Sequence, residues 1–380
     1  MLKNLDNDTE LGKITIDLNS IEKNYKIIKK KVGKECSVAA VLKANAYGIG
    51  IKEISIKLKE LGCRFFFVAT LEEGIELRKI VKDIQILVLN GPIVIDKKIY
   101  NIFFENNLIP IFNSLHELKL WIKIESRAVK KAKIGLHFDT GMNRFGIPNA
   151  EVDEVKKLFL KKRLNLFCIM SHLSSADEKS KKINLIQKDL FNKINSDYKG
   201  VLLSIANSSA VFNLNGFNFS FVRSGGALFG INPTKEKNPM HNVISLYAKV
   251  LQIKDLKTET NKVVGYNSTY QVNKALKIGV LGIGYADGYP RNLSNIGYAF
   301  YKNSKLPIIG TISMDYITVD LSKLKKKIIV GDWVELIGKN ISIQDVAFLS
   351  QTIEYEILNN LGNRLQKYYV GKKWIFIKVF

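Results

Sequence analysis

Proline is scarce in this chain, with seven in 380 residues, and cysteine (three) and histidine (four) are scarcer still. So few prolines, with 46% hydrophobic residues, describe an ordered globular protein. No low-complexity tract or repeat of roughly 20 to 50 residues interrupts it. Cys36, Cys63 and Cys168 are odd in number and lack ligand spacing, which excludes a disulfide framework or zinc site and reads as reduced, structural thiols. No apolar run approaches the roughly 20 residues of a spanning helix. The opening segment MLKNLDNDTELGKITIDL interleaves charges with apolar residues and has no signal-peptide core, so a cytoplasmic protein is expected.

Arginine is also rare, eight against 50 lysines, although the net charge is +23. Base-edge and phosphate-fork recognition rely on arginine. The lysines are spread in short runs such as KIIKKK (26–31) and KLKKKI (323–328). They read as solvated surface rather than a polyanion site, and the expectation is no nucleic acid and no membrane partner.

What the chain does have is rhythm. Short β-branched or aromatic runs recur at 36–44, 64–70, 84–91, 108–113, 133–141, 166–174, 201–208 and 219–226. Amphipathic stretches lie between most of them, two opening on capping-box patterns, Thr70-x-x-Glu73 and Ser114-x-x-Glu117. Eight buried strands alternating with helices predict an α/β fold, a (β/α)8 barrel of the TIM type, with its chemistry at the strand C-terminal ends. Those ends carry Lys43, Thr70, Asn90, Asn113, Asp139, His172, Asn207 and Arg223. After about residue 240 strand-like segments follow without long helices. The expected division is a barrel over 12–240 and a mostly β C-terminal domain over 241–380, with residues 1–11 packing with the latter.

Lys43, in VLKANAYGIG (41–50), closes the first apolar run. A strand-end lysine is a surface residue, a phosphate contact or a Schiff-base former; an apolar setting lowers its pKa and frees the amine to condense with an aldehyde. ANSSA (206–210) and RSGGALFG (223–230) follow the seventh and eighth runs, where barrel phosphate sites lie. Each alone is an ordinary cap or turn. Together with Lys43 they favour a pyridoxal phosphate site.

An ordered series of segments extends this nearly full length: AVLKANAYG, DTGMNRFG (139–146), ANSSA, VRSGGALFG, VVGYNSTY (263–270), GYADGYPR (284–291), GTISMDYITVD (310–320) and EYEI (354–357). In these the chain resembles the alanine racemase family. The resemblance implies a homodimer with shared active sites, pyridoxal 5'-phosphate as cofactor and an amino acid as substrate. It implies that Lys43 holds the cofactor and serves as one acid/base, and that Tyr266 of the partner subunit serves as the other, supplying D-alanine for peptidoglycan. Removing a proton from one face of Cα and replacing it from the other calls for two such groups. Tyr47, Ser208, Gly225, Gly226 and Tyr355 would hold the phosphate, with Asn207 supporting the turn. Arg223 would face the pyridine nitrogen, and Arg144 and the backbone of Met314 would take the substrate carboxylate. His172 would lie near the cofactor ring, or is a hydrogen-bonded core histidine. A broader-specificity amino-acid racemase and a non-catalytic cofactor-binding protein are the alternatives; the second lacks a β domain and hence a counterpart of Tyr266.

The chain departs from the family pattern at several positions. His137 stands where many members carry a carbamylated lysine that orients the substrate arginine. Ser204 replaces a histidine that supports the pyridine-facing arginine, and Ile49 replaces the histidine of AYGHG. Ser224, Gly226, Thr311 and Ser313 take the places of Pro, Ile, Arg and Cys.

Overall fold

A computed structural model describes residues 9–125, 132–162, 164–257, 262–371 and 374–379. The described residues resolve into two compact units, one drawn from 21–46 and 50–241, the other from 9–20, 47–49 and 242–379.

The first unit is built on eight parallel strands: β2 (Ser37–Val41), β3 (Phe65–Val68), β4 (Gln85–Val88), β5 (Leu108–Phe112), β6 (Ile134–His137), β7 (Leu166–Met170), β8 (Leu202–Ser204) and β9 (Phe221–Ser224). Their order is β8-β7-β6-β5-β4-β3-β2-β9, consecutive except where β9 returns beside β2. All but β8 are buried along most of their length, as expected of strands covered on both sides. The seam between β8 and β9 is closed by an isolated bridge, Asn207 to Arg223, rather than a full ladder. Arg223 reinforces it by donating from Nη1 to Ser204 O (2.9 Å) and Ser204 Oγ (2.7 Å). All eight expected strands are present, and the barrel is nearly closed.

Helices fill the crossovers. Leu71–Ile80 begins on the expected capping box: Thr70 Oγ1 accepts from Glu73 N–H, and the Glu73 carboxylate accepts from Thr70 N–H. At the second pattern Ser114 Oγ accepts from Glu117 N–H, but the Glu117 carboxylate takes the amide of Asn113, one residue earlier.

The second unit is mostly β. β10 (Ile244–Leu256) pairs antiparallel with β1 (Gly12–Asp17), β13 (Leu276–Leu281) and β17 (Trp333–Ile337). β14 (Tyr298–Tyr301), β15 (Ser304–Pro307), β16 (Ile317–Asp320), β18 (Gln366–Gly371) and β19 (Trp374–Val379) complete the sheet, and β11 (Val263–Val264) and β12 (Tyr270–Gln271) form a small hairpin. The sequence division counted Gly12–Asp17 with the barrel. The strand instead belongs to this unit, pairing with β10 on one side and in parallel with β18 on the other. Its buried-intermediate alternation suits a sheet with one covered face, unlike the continuous buried runs of most barrel strands. Leu11 O accepts from Lys249 N–H; residues 1–8 lie outside the described residues.

The three cysteines are free and buried, and burial raises their thiol pKa values to between about 11 and about 12. Among the described residues no helix is long and apolar enough to cross a membrane.

Candidate active site

The β2 ladder ends at Val41, with Leu42 N–H still bonded to Phe67 O; Lys43 follows as the first residue of a turn. That turn is left-handed. Ala44, Asn45, Ala46 and Tyr47 have φ between 52° and 56°, and none is glycine. In this conformation Cβ crowds the following carbonyl, at a cost of roughly 1–2 kcal/mol per residue. The surrounding bonds offset it: Ala46 N–H to Leu42 O, Gly50 N–H to Asn45 O, Ile51 N–H to Asn45 Oδ1 (2.8 Å) and Ala44 N–H to Glu73 Oε1 (2.7 Å). Glycine at 48 and 50 continues at positive φ and releases the chain into the helix Ile51–Glu60.

The Lys43 pKa is lowered, first by desolvation within the barrel mouth and then by the Arg144 charge, while Glu73 opposes both. An amine so placed carries a lone pair more often at neutral pH than a surface lysine does.

Arg144 sits on a loop that its own sequence builds. Asp139 Oδ1 accepts from the amides of Gly141, Met142 and Asn143 (2.9, 2.9 and 3.2 Å). Asp139 N–H then bonds Ile147 O, and Ile147 N–H bonds His137 O, a parallel bridge that closes the loop. A Cβ on Gly146, at φ +122°, would lie 2.8 Å from Asp139 N, so the residue must be glycine.

His137 is buried, and its Nδ1 lies 2.8 Å from Asn113 Oδ1. Asn113 spends both amide hydrogens on Leu89 O and Ile111 O, so its oxygen faces the imidazole. His137 therefore donates from Nδ1, leaving Nε2 as an acceptor. Burial, with the Arg223 charge, pulls its pKa down to about 4, so the ring is neutral at pH 7.

Arg223 is 4% exposed. Besides Ser204, its guanidinium donates to Ser171 O, Ile205 O and His172 Nδ1 (3.3 Å). None of these partners is a carboxylate, and all the bonds leave from Nη1 and Nη2; among the described residues Nε–H is uncommitted. Because arginine only donates, His172 accepts at Nδ1 and carries its proton on Nε2. Burial and the Arg223 charge hold the His172 pKa at about 3. Gln187, fully buried, donates to His172 O and accepts from Ser174, fixing the histidine loop.

Between β8 and β9 the two sequence-flagged turns meet. Asn207 Oδ1 accepts from Ala210 N–H and starts the helix Ser208–Asn213. Ser208 Oγ, buried, receives the amides of Gly225 (3.2 Å) and Ala227 (3.4 Å) and lies 3.2 Å from Ser224 Oγ. Gly226 opens the short helical turn that follows. Several donors thus converge on one small volume, which suits a phosphate.

Tyr47 and Tyr355 fall in the β unit, with ring centroids 5.9 Å apart. Burial raises both phenols, Tyr355 to about 12, so each keeps its proton and can donate. Tyr266 is 67% exposed and Met314 53% exposed, both on loops of this unit. Gly265, at φ +77°, leads into Tyr266, and Thr311 Oγ1 donates to Tyr266 O (3.1 Å). The structure thus gathers Lys43, Arg144, His172, Asn207, Ser208, Arg223, Gly225 and Gly226 in the barrel unit. Tyr47, Tyr266, Met314 and Tyr355 belong to the β unit.

The sequence reading missed Glu73, Asn113, Gln187 and Ser171 as supports of these groups. Glu73 was visible only as a capping residue and Asn113 only as a polar strand end; nothing marked Gln187.

Comparison with known proteins bears on the fold and the family. The family profile "Alanine racemase, N-terminal domain" matches residues 16–233, and "Alanine racemase, C-terminal domain" matches 243–369. An alanine racemase of Rickettsia bellii is 39% identical over 341 residues, 88% of this chain and 82% of that protein. One from Brucella abortus is 36% identical over 376 residues, covering 94% and 93%. The crystal structure of alanine racemase from Bartonella henselae, with covalently bound pyridoxal phosphate, superposes with a TM-score of 0.88 at 34% identity, covering 95% of this chain and 99% of that one. A barrel and a β unit matched in order, and relatives above 30% identity along most of their length, place the chain: it belongs to the alanine racemase family.

Proposed function

We propose that the protein is a cytoplasmic, pyridoxal-phosphate-dependent alanine racemase that interconverts L- and D-alanine and supplies D-alanine for peptidoglycan. It would work as a homodimer in which Lys43 and Tyr266 of the partner subunit exchange the Cα proton on opposite faces. The observation that carries this is Lys43 itself: an amine with lowered proton affinity at the end of a barrel strand, in the same unit as a buried arginine that has no carboxylate partner.

The residues present fit the cofactor. Arg223 has an uncommitted Nε–H on a buried guanidinium, a donor matched to an aromatic nitrogen. Ser208 Oγ now accepts the Gly225 and Ala227 amides, donors that a phosphate oxygen could take in its place. Bound at Lys43, pyridoxal phosphate supplies a conjugated electron-withdrawing ring that makes the Cα proton of an amino acid labile.

The chain's own groups do the rest. Ser208, the Gly225 and Gly226 amides, Tyr47 and Tyr355 hold the phosphate, and Asn207 keeps the Ser208 turn in place. His172, neutral and tied to Arg223, packs by the ring. Arg223 would donate to the ring nitrogen. A guanidinium remains protonated at neutral pH even when burial lowers its pKa to about 10. Facing the ring nitrogen it would serve as a hydrogen-bond donor rather than an acid, a setting that suits return of a proton to Cα. Arg144 and the Met314 backbone of the partner subunit take the substrate carboxylate and fix which Cα face meets which base. Lys43, whose proton affinity is lowered by desolvation and by Arg144, can accept the proton on its side; a phenol delivers one on the other.

Chiral analysis of the purified protein with pyridoxal phosphate and each L-amino acid in turn tests this. D-Alanine formed fastest is the expected result. Faster conversion of another amino acid points to a broader-specificity racemase, and bound cofactor with no D-isomer from any substrate sinks the catalytic reading.

A further inference from the structure

A run of four L-residues in the left-handed region does not persist on local preference, because each Cβ crowds the next carbonyl. Most ties that hold residues 44–47 come from the turn's own flanks: Ala46 N–H to Leu42 O, Gly50 N–H to Asn45 O, Ile51 N–H to Asn45 Oδ1. One comes from elsewhere in the barrel. Glu73, 29 residues further on, accepts the Ala44 amide on Oε1 at 2.7 Å.

Glu73 is itself firmly held. Its Oε2 accepts from Ala69 N–H (2.7 Å) and Thr70 N–H (3.4 Å), and its own amide donates to Thr70 Oγ1. A capping box alone needs one oxygen turned back to the helix start. Here the second oxygen reaches across from the first turn of the helix after β3 to the residue after Lys43.

We propose that Glu73 is the positioning residue of Lys43: its carboxylate, anchored on the Ala69 and Thr70 amides, holds the Ala44 amide and so maintains the left-handed turn that presents the amine at the barrel mouth. The inference rests on the reading of Lys43 as the cofactor lysine. The carboxylate also acts on the amine electrostatically. Burial and the Arg144 charge depress the Lys43 pKa, Glu73 opposes them, and neutral His172 is the other titratable group that senses Lys43. Removing the carboxylate charge should therefore loosen the turn and lower the amine's pKa further.

The test uses the full chain, with and without pyridoxal phosphate, as wild type and as E73Q, E73D and T70A. Hydrogen–deuterium exchange over residues 43–50 reports the turn in both forms, and competitive acetylation of Lys43 against pH in the cofactor-free chain, read by mass spectrometry, reports the amine. For E73Q we expect exchange faster by at least about tenfold, from loss of a bond to a charged group, and an acetylation midpoint displaced to lower pH. E73D, which folds if the carboxylate is required only as a charge, should speed exchange with a smaller midpoint displacement, because it is one methylene short of Ala44. T70A should leave both readouts over 43–50 as in wild type.

Wild-type exchange and midpoint in E73Q and E73D overturn the proposal. T70A matching E73Q overturns it too, reducing Glu73 to a helix cap. Borohydride reduction of the holoprotein and peptide mapping separately identify the cofactor-bearing lysine. A label away from Lys43 overturns the site reading, and with it the purpose assigned to the clamp, whereas a label on Lys43 with unchanged exchange overturns the clamp alone.

Discussion

In the proposed mechanism Lys43 and Tyr266 do the same work from opposite faces of Cα. Tyr266→Phe removes one proton carrier and nothing else, so turnover should fall by about 10²- to 10⁴-fold, the usual worth of general acid–base catalysis. The visible absorbance of the cofactor bound at Lys43 should survive. Lys43→Ala should lose that absorbance altogether, and its persistence would show that another lysine holds the cofactor. The histidines make a different prediction. His137 and His172 have folded-state pKa values of about 4 and about 3, below the ordinary 6.5, because burial and Arg223 penalise their charged forms. Between those values and 6.5 the unfolded chain binds protons that the folded chain does not, so stability rises with pH across that window. Acidification from pH 6.5 toward pH 4 should thus cost up to about 1.4 kcal/mol per pH unit for each histidine. His137→Asn should flatten the slope by roughly one histidine's share, read as denaturant midpoints at pH 6.5, 5.5 and 4.5.

At the scale of elements, the loop carrying Tyr266 depends on a glycine. Gly265 sits at φ 77°, ψ −177°, and a Cβ there would lie 2.8 Å from Thr311 N. Gly265→Ala should therefore shift Tyr266, lowering kcat at least about tenfold with only about 1–3 kcal/mol of strain to stability, and leave cofactor absorbance intact. Loss of that absorbance would mean the substitution had spread beyond the loop. The Ser342–Asp345 capping box, with Asp345 N–H on Ser342 Oγ at 3.1 Å, offers a plain contrast. Ser342→Ala should cost about 1 kcal/mol in thermal stability with kcat unchanged. The barrel strands were legible in the sequence because parallel strands buried on both faces are written as continuous apolar runs. The placement of Gly12–Asp17 was not. A short alternating strand carries no mark of which later strand it will pair with, and its partners lie more than 200 residues away in β10 and β18. The same distance problem hid the supports of the site. Glu73 was readable as a cap because its partner is three residues back, whereas its bond to Ala44 spans 29 residues and exists only once β2 and β3 are neighbours. Lys43 was readable as an amine at a strand end; that four non-glycine residues after it wind left-handed was written nowhere in propensity.

For the molecule as a whole, the net charge of +23 explains little, since it is spread over lysines that mostly face water. The distribution of the proposed acid/bases explains more. Lys43 belongs to the barrel unit and Tyr266 to the β unit, where Tyr266, Tyr285, Met314 and Tyr316 are all exposed in the single chain. Exposed aromatics and methionine of this kind suit the surface of a second copy. If each site takes Lys43 from one subunit and Tyr266 from the other, a protein bearing only Lys43→Ala and one bearing only Tyr266→Phe are each inactive in every site. A hybrid dimer is different. One of its two sites unites both substituted residues, and the other is wholly native. Dissociating the two variants together and letting them reassociate at random makes half the dimers hybrids, so activity should return to about one quarter of the wild-type level. If Tyr266 instead served its own chain, every site in every hybrid would still lack one base, and mixing would restore nothing. Recovery on mixing, measured as D-alanine formed per site, therefore decides whether the active site is shared, independently of how tightly the subunits bind.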